Sequence, residues 1–195
     1  MKTLFNCSLY QKFVIPLFSL LLLFTHNAFA DSMINVGPAI GTKAPIISVK
    51  NIQQQAVTIK EISRDKGLII LFFRSANWCP YCKRHLIELN NNANDFNDLG
   101  YGLAAISYDN TDILQKFSQQ KSLNYPLLSD QQAKTVSAYN IMNKDYVQGD
   151  DNYGIPYPGV IVIDNKGNVT HKRFFKGYKN RVKFSELYLA LKNNH

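Results

Sequence analysis

The stretch LIILFFRSANWCPYC, residues 68 to 82, joins two unlike halves. Leu68 to Phe73 is a short unbroken apolar run bounded by Gly67 and Arg74, the pattern of a strand buried on both faces. Pro80 suits the first turn of a helix, where its missing N–H would have no partner anyway, and Leu86, Leu89, Ala93 and Phe96 then recur at helical spacing. Asn90 to Asn92 weaken that helix interior without breaking it. Cys79 therefore stands at a helix N-terminus, where unbonded N–H groups and the helix dipole favour an anion, so its sulfur is expected to be exposed, ionised and the attacking nucleophile. Cys82 follows nearly one turn later on the same face, placed to attack a mixed disulfide at Cys79 and release the partner. Lys83 and Arg84 add positive charge, and Trp78 offers an apolar platform beside the sulfur.

Outward from the motif, strands and helices alternate. Tyr101 to Tyr108 reads as a strand, Asp109 to Thr111 as caps of a helix running to about Leu123, and Pro126 to Leu128 as a short strand. Asp130 is expected to cap a helix over residues 131–140. Gly159 to Asp164 is a second buried strand, turned by Asn165-Lys166-Gly167-Asn168 into a hairpin with Val169 to Phe175, and an amphipathic helix closes the chain from about Arg181 to Lys192. Residues 46–50 and 56–59 read as a preliminary hairpin, and residues 143–157 as a long loop, either functional or a surface insertion. The fold class is α/β, a central mixed sheet flanked by helices with an N-terminal β-hairpin extension.

At the other end of the chain, Lys2 and Lys12 flank an opening without acids, Phe13 to Phe24 is nearly all apolar, and Ala28-Phe29-Ala30 supplies a small-x-small cleavage site. Residues 1–30 are read as a cleaved signal peptide and residues 31–195 as one domain. An apolar run of about twelve residues is too short to span a bilayer as a helix, so no stable membrane insertion is expected after cleavage. Cys7 leaves with the leader, and the net charge falls from +8 to +6 with the two lysines. Of the 195 residues 46% are apolar and 18% charged, which excludes a disordered or low-complexity chain. The remaining basic residues are scattered, against the concentrated positive face that nucleic acid requires.

The cysteine pair has two quieter readings, an inert staple and a metal site. A bridge closing so short a loop constrains little of the unfolded chain. Cys79, Cys82 and His85 lack a second ligand pair, so no metal is expected. His85 is either a proton carrier for the thiols or a solvated residue on the far side of the helix. Arg74 either favours the thiolate or pairs with an acid at the surface.

These residues, with SYD at 107–109, PLLSD at 126–130 and YPGVIVIDNKGNV at 157–169, resemble the thioredoxin superfamily, more narrowly its redoxin branch of the alkyl hydroperoxide reductase and thiol-specific antioxidant type. The resemblance runs from about Gly41 to the last helix. It implies a thioredoxin-like fold and a cis proline before the later buried strand, matched by Pro158, with Tyr157 presenting its backbone to a bound partner. Trp78, Pro80, Tyr81, Tyr157 and Pro158 would then line the substrate groove. Two departures stand out. The peroxiredoxin pattern P-x-x-x-T/S-x-x-C meets Phe72 and Ala76 here, and the buried acid of thioredoxin's strand meets Phe73.

The reading is an exported thiol–disulfide oxidoreductase working through Cys79 and Cys82, with no cofactor beyond their redox-active disulfide. Its alternatives are a thiol peroxidase reducing hydroperoxides and a non-catalytic binding module; the Pro80-Tyr81 dipeptide, shared with glutaredoxins, places glutathione chemistry third. Partners would be protein or small-molecule thiols and disulfides, or hydroperoxides, with a membrane electron-transfer partner. The location would be the periplasm or, alternatively, the extracellular medium.

Overall fold

Every residue of the apolar run is sealed from solvent, Leu68 to Phe72 at 0% exposure and Phe73 at 1%. Their side chains alternate between two cores. Ile69, Leu71 and Phe73 join Leu86, Leu89, Phe96 and both cysteines on one side of the sheet. Leu68, Ile70 and Phe72 join Ile106, Tyr139, Ile161 and Phe174 on the other. Burying each such side chain stabilises the fold by about 2 kcal/mol, so no other register of this segment competes.

The computed structural model describes residues 33–193, and the leader expected over residues 1–30, its cleavage point and Cys7 lie outside the described residues. In chain order the strands are β1 (Met33–Ile34), β2 (Val49–Lys50), β3 (Ala56–Val57), β4 (Gly67–Phe72), β5 (Tyr101–Ser107), β6 (Leu127–Ser129), β7 (Gly159–Asp164) and β8 (Val169–Phe175). The helices are α1 (Ile59–Ile62), α2 (Pro80–Asn91), α3 (Ala93–Asp98), α4 (Thr111–Lys121), α5 (Lys134–Ala138) and α6 (Phe184–Asn193). Hydrogen-bonded neighbours run β1-β8-β7-β4 and β3-β2-β6-β5. β4 lies against β5, where the Phe73 N–H donates to the Ile106 carbonyl at 3.0 Å. β5 and β6 are parallel and β4, β7 and β8 antiparallel, with Phe72 opposite Gly159, so the sheet is mixed.

The strand order and the turn at 165–168 agree with the sequence reading. The Asp164 carboxylate closes that turn by accepting the backbone N–H groups of Lys166 (2.9 Å) and Asn168 (2.7 Å). Four expectations need correction. The long helix is interrupted at Asn92, whose side-chain amide donates to the Glu88 carbonyl at 2.7 Å and so competes with the helix ladder. α5 is shorter than expected, because Ala133 adopts a left-handed backbone and Asp130 reaches across it to accept the Val136 N–H at 2.9 Å. α6 begins at Phe184 rather than Arg181, leaving residues 181–183 in a loop. The preliminary hairpin is reduced to two-residue strands, and it is followed by α1, whose Thr58–Glu61 capping box went unread.

Gly67 starts β4 with φ +129°, and a Cβ there would lie 1.9 Å from the Ile163 carbonyl oxygen on the paired strand. Gly67→Ala is expected to cost about 2 kcal/mol or more, read as a lowered urea midpoint with an unchanged slope.

Candidate active site

β4 delivers the chain to the mouth of the sheet, and a buried carboxylate shapes the turn beyond it. Asp109, 5% exposed just past the end of β5, accepts the Ser75 hydroxyl at 2.8 Å, the Ala76 N–H at 2.6 Å and the Ser107 hydroxyl at 3.1 Å. Ser75 Oγ in turn accepts the N–H groups of Asn77 (2.9 Å) and Trp78 (3.3 Å). The turn that aims Cys79 is thus fixed by one acid and one hydroxyl. Burial raises the Asp109 pKa, and these donors together with nearby Lys83 work against the rise.

Cys79 is the N-cap of α2, and its sulfur accepts the Cys82 N–H at 3.3 Å. Both cysteines carry free sulfurs, and both are buried, at 1% and 0% exposure. The exposed nucleophile expected at Cys79 is therefore not seen, although Trp78 and Pro80 on either side of it are open to solvent. Its ionisation also departs from expectation. The hydrogen bond from the Cys79 thiol holds Cys82 down at about 6, against desolvation and with support from the backbone of Ser75 and Arg74 and from the Arg181 charge. That same hydrogen bond, then burial, pushes Cys79 up. Two sulfurs sharing one proton ionise as a unit, and the first proton leaves this pair more readily than it leaves a free thiol.

The charge that favours this state comes from a residue the sequence reading missed. Arg181, in the loop between β8 and α6, places Nη2 3.5 Å from the Cys82 sulfur and 3.9 Å from that of Cys79. His85 helps to hold the loop there. Its Nε2–H donates to the Val182 carbonyl at 2.9 Å, and its ring stacks on Phe184 at 4.5 Å. The ring is 3% exposed, and desolvation, together with the Arg181 charge, lowers its pKa to about 4. His85 is thus buried rather than solvated, and it ties the Arg181 segment to α2.

The groove residues separate into two groups. Trp78 is 38% exposed and donates its indole N–H to the Tyr108 hydroxyl at 2.9 Å. Tyr81 meets the Tyr178 ring edge-on at 5.5 Å, so the β8–α6 loop reaches over the start of α2. Among the described residues Arg74 forms no ion pair with an acid, and its guanidinium carbon lies 4.6 Å from the centroid of the Trp78 ring. Tyr157 and Pro158 depart from expectation. The Tyr157 side chain belongs to the second core, and its N–H donates to Ile141 at 2.8 Å rather than facing a partner. No peptide bond among the described residues is cis, so Pro158 is trans, and its carbonyl accepts the Phe175 N–H at 3.0 Å. The chain is held in this path from both sides before β7 begins.

Asp109 and Arg181 had different visibility. Asp109 ends a buried strand, a position that faces the mouth of an open α/β sheet, although its Asp-Asn-Thr context also reads as a helix cap. Arg181 sits about a hundred residues from the cysteines in a polar segment without a pattern.

Residues 40–172 match the family model described as the AhpC/TSA family. The thiol-disulfide oxidoreductase ResA of Bacillus thuringiensis subsp. konkukian is 24% identical over 148 residues, 75% of each chain. The Helicobacter pylori protein bcp, which carries a peroxiredoxin name, is 27% identical over 147 residues, 73% of this chain and 94% of that one. Among solved structures, peroxidoxin BcpB from Mycobacterium tuberculosis superposes with a TM-score of 0.66 at 17% identity, covering 82% of this chain and 96% of its own. The likeness to that structure is one of fold, the thioredoxin-like mixed sheet with flanking helices. With more than half of its length matched, the chain belongs to the AhpC/TSA family.

Proposed function

We propose that this protein is a thiol–disulfide oxidoreductase in which Cys79 attacks and Cys82 resolves. The observation that carries the reading is the pair of free sulfurs at the start of one helix, both within 4 Å of a single guanidinium. The proton passes along the S–H···S contact to Cys82, leaving the charge on Cys79, which lies between the exposed Trp78 and Pro80. A substrate disulfide displaces the Arg181 loop to reach it. The Cys79 thiolate attacks one substrate sulfur, the substrate S–S bond breaks, and the first thiolate leaves and takes a proton from water. Cys82 then gives up its proton to solvent and attacks the Cys79 sulfur of the mixed disulfide, expelling the second thiolate. Two electrons pass to the substrate, and the Cys79–Cys82 disulfide forms. The reverse sequence oxidises a dithiol.

The competing peroxidase reading draws on the peroxiredoxin-named relatives. Against it, the positions where the peroxiredoxin pattern has a proline and a hydroxyl residue hold Phe72 and Ala76, both buried and apolar. Neither can orient a peroxide. The leader pattern in the sequence supports export to the periplasm, where a membrane protein would supply or remove the electrons.

Cys82→Ser is expected to accumulate mixed disulfides at position 79 with thiol partners, and Cys79→Ser to accumulate none; adducts only in the second variant would reverse the two roles. Thiolate absorbance near 240 nm should titrate with a midpoint near pH 6. The sign is set by the charge: Arg181→Met removes a cation that favours the thiolate, so the midpoint should move up by about one pH unit. In stopped flow, the reduced protein should consume hydrogen peroxide no faster than a free cysteine thiolate measured beside it; a rate orders of magnitude above that would establish the peroxidase instead.

A further inference from the structure

Arg74 carries a charge that the exchange chemistry does not use. It comes directly after Phe73 at the end of β4 and is 8% exposed. Its guanidinium carbon lies 4.6 Å from the centroid of the Trp78 ring, 5.4 Å from that of Tyr178 and 6.0 Å from that of Tyr146. Nη2 donates to the Tyr146 hydroxyl at 3.1 Å, whereas Nε is buried with no partner. Among the described residues the ion pairs are Arg173–Glu186 and Lys183–Glu186, so no carboxylate is paired with Arg74, although Asp109 and Asp151 act with it on the neighbouring Tyr108 hydroxyl. Aromatic faces attract a cation but accept none of its N–H groups as a carboxylate would. The guanidinium lies at a rim whose Trp78 and Tyr178 are 38% and 48% exposed. Trp78 directly precedes Cys79.

A guanidinium stripped of most of its water, set among aromatic rings and without a paired carboxylate is a receptor for a planar anion. We propose that Arg74 is the substrate-recognition group, binding a carboxylate carried a few bonds from the reacting sulfur of the disulfide. This rests on the exchange activity proposed above and names its substrate class: carboxylate-bearing disulfides, either low-mass compounds or a peptide with an acidic residue beside its cysteine.

The test compares kcat/KM for 3,3′-dithiodipropionate with that for the neutral bis(2-hydroxyethyl) disulfide, and for a disulfide-linked peptide with Glu beside Cys against its Gln counterpart. The ratio within each pair is the readout, because any general loss of reactivity cancels in it. The wild-type protein should favour the carboxylate by about tenfold in at least one pair, and the pair that shows it identifies the source. Arg74→Gln should bring the ratio close to one, and Arg74→Lys, which keeps the charge but loses the planar fork, should lose most of it. A wild-type ratio near one in both pairs, or a preference that survives in Arg74→Gln or is kept in full by Arg74→Lys, overturns the proposal. Binding is read separately with suberate, which has methylenes in place of the two sulfurs and cannot react. Trp78 is the sole tryptophan of the chain, so suberate should change its fluorescence in the wild type and not in Arg74→Gln. A suberate response in a protein that exchanges no disulfide would sink the exchange activity and leave the subsite standing. Exchange without a carboxylate preference or a suberate response would do the opposite.

Discussion

A sulfur anion withdrawn from water needs a cation within a few ångströms, and here a single side chain supplies it to both cysteines. Placing the Arg181 Nη2 at 3.5 and 3.9 Å from the two sulfurs sets the demands on the surrounding structure. The loop before α6 must cross the start of α2, and something must keep it there. The His85–Val182 hydrogen bond and the Phe184 ring do so from below, while Tyr178 against Tyr81 does so from above. The cost is access. The loop that brings a supporting charge to the pair also lies against it, so the electrostatics and the burial of the sulfurs meet in one short segment.

The opposite end of the site is braced rather than covered. Asp109 and Ser75 take up the N–H groups of three successive residues, Ala76 to Trp78, that would otherwise be unsatisfied in a turn without regular structure. The start of the cysteine helix is thus braced by hydrogen bonds on one side and packed against a loop on the other. The loop at 143–157, for which the sequence left two roles open, contributes Tyr146 to the Arg74 surroundings and so belongs partly to the rim of the site.

The buried strands, the cysteine-bearing helix and the hairpin at 165–168 were legible because each rests on a local rule: a two-faced apolar run, a proline in a first helical turn, a turn rich in asparagine and glycine. The break at Asn92 was not, because three asparagines in a row dilute helix propensity without revealing which of them turns its side chain onto the backbone. Cys79 and Cys82 were legible as a pair by spacing, but spacing says nothing about depth, and part of what surrounds the two sulfurs comes from chain a hundred residues away. Tyr157 shows the converse. The resemblance placed it in a groove, whereas its N–H is bonded to the Ile141 carbonyl and its ring lies in the second core.

The alternation along β4 gives even and odd positions different duties. Ile69, Leu71 and Phe73 share their packing with the two sulfurs, whereas Leu68, Ile70 and Phe72 touch the opposite layer. Substitutions at the odd positions therefore disturb the first core and the surroundings of the sulfurs together, whereas substitutions at the even positions act on the second core, so the parity of a residue number in this strand decides which layer feels the change.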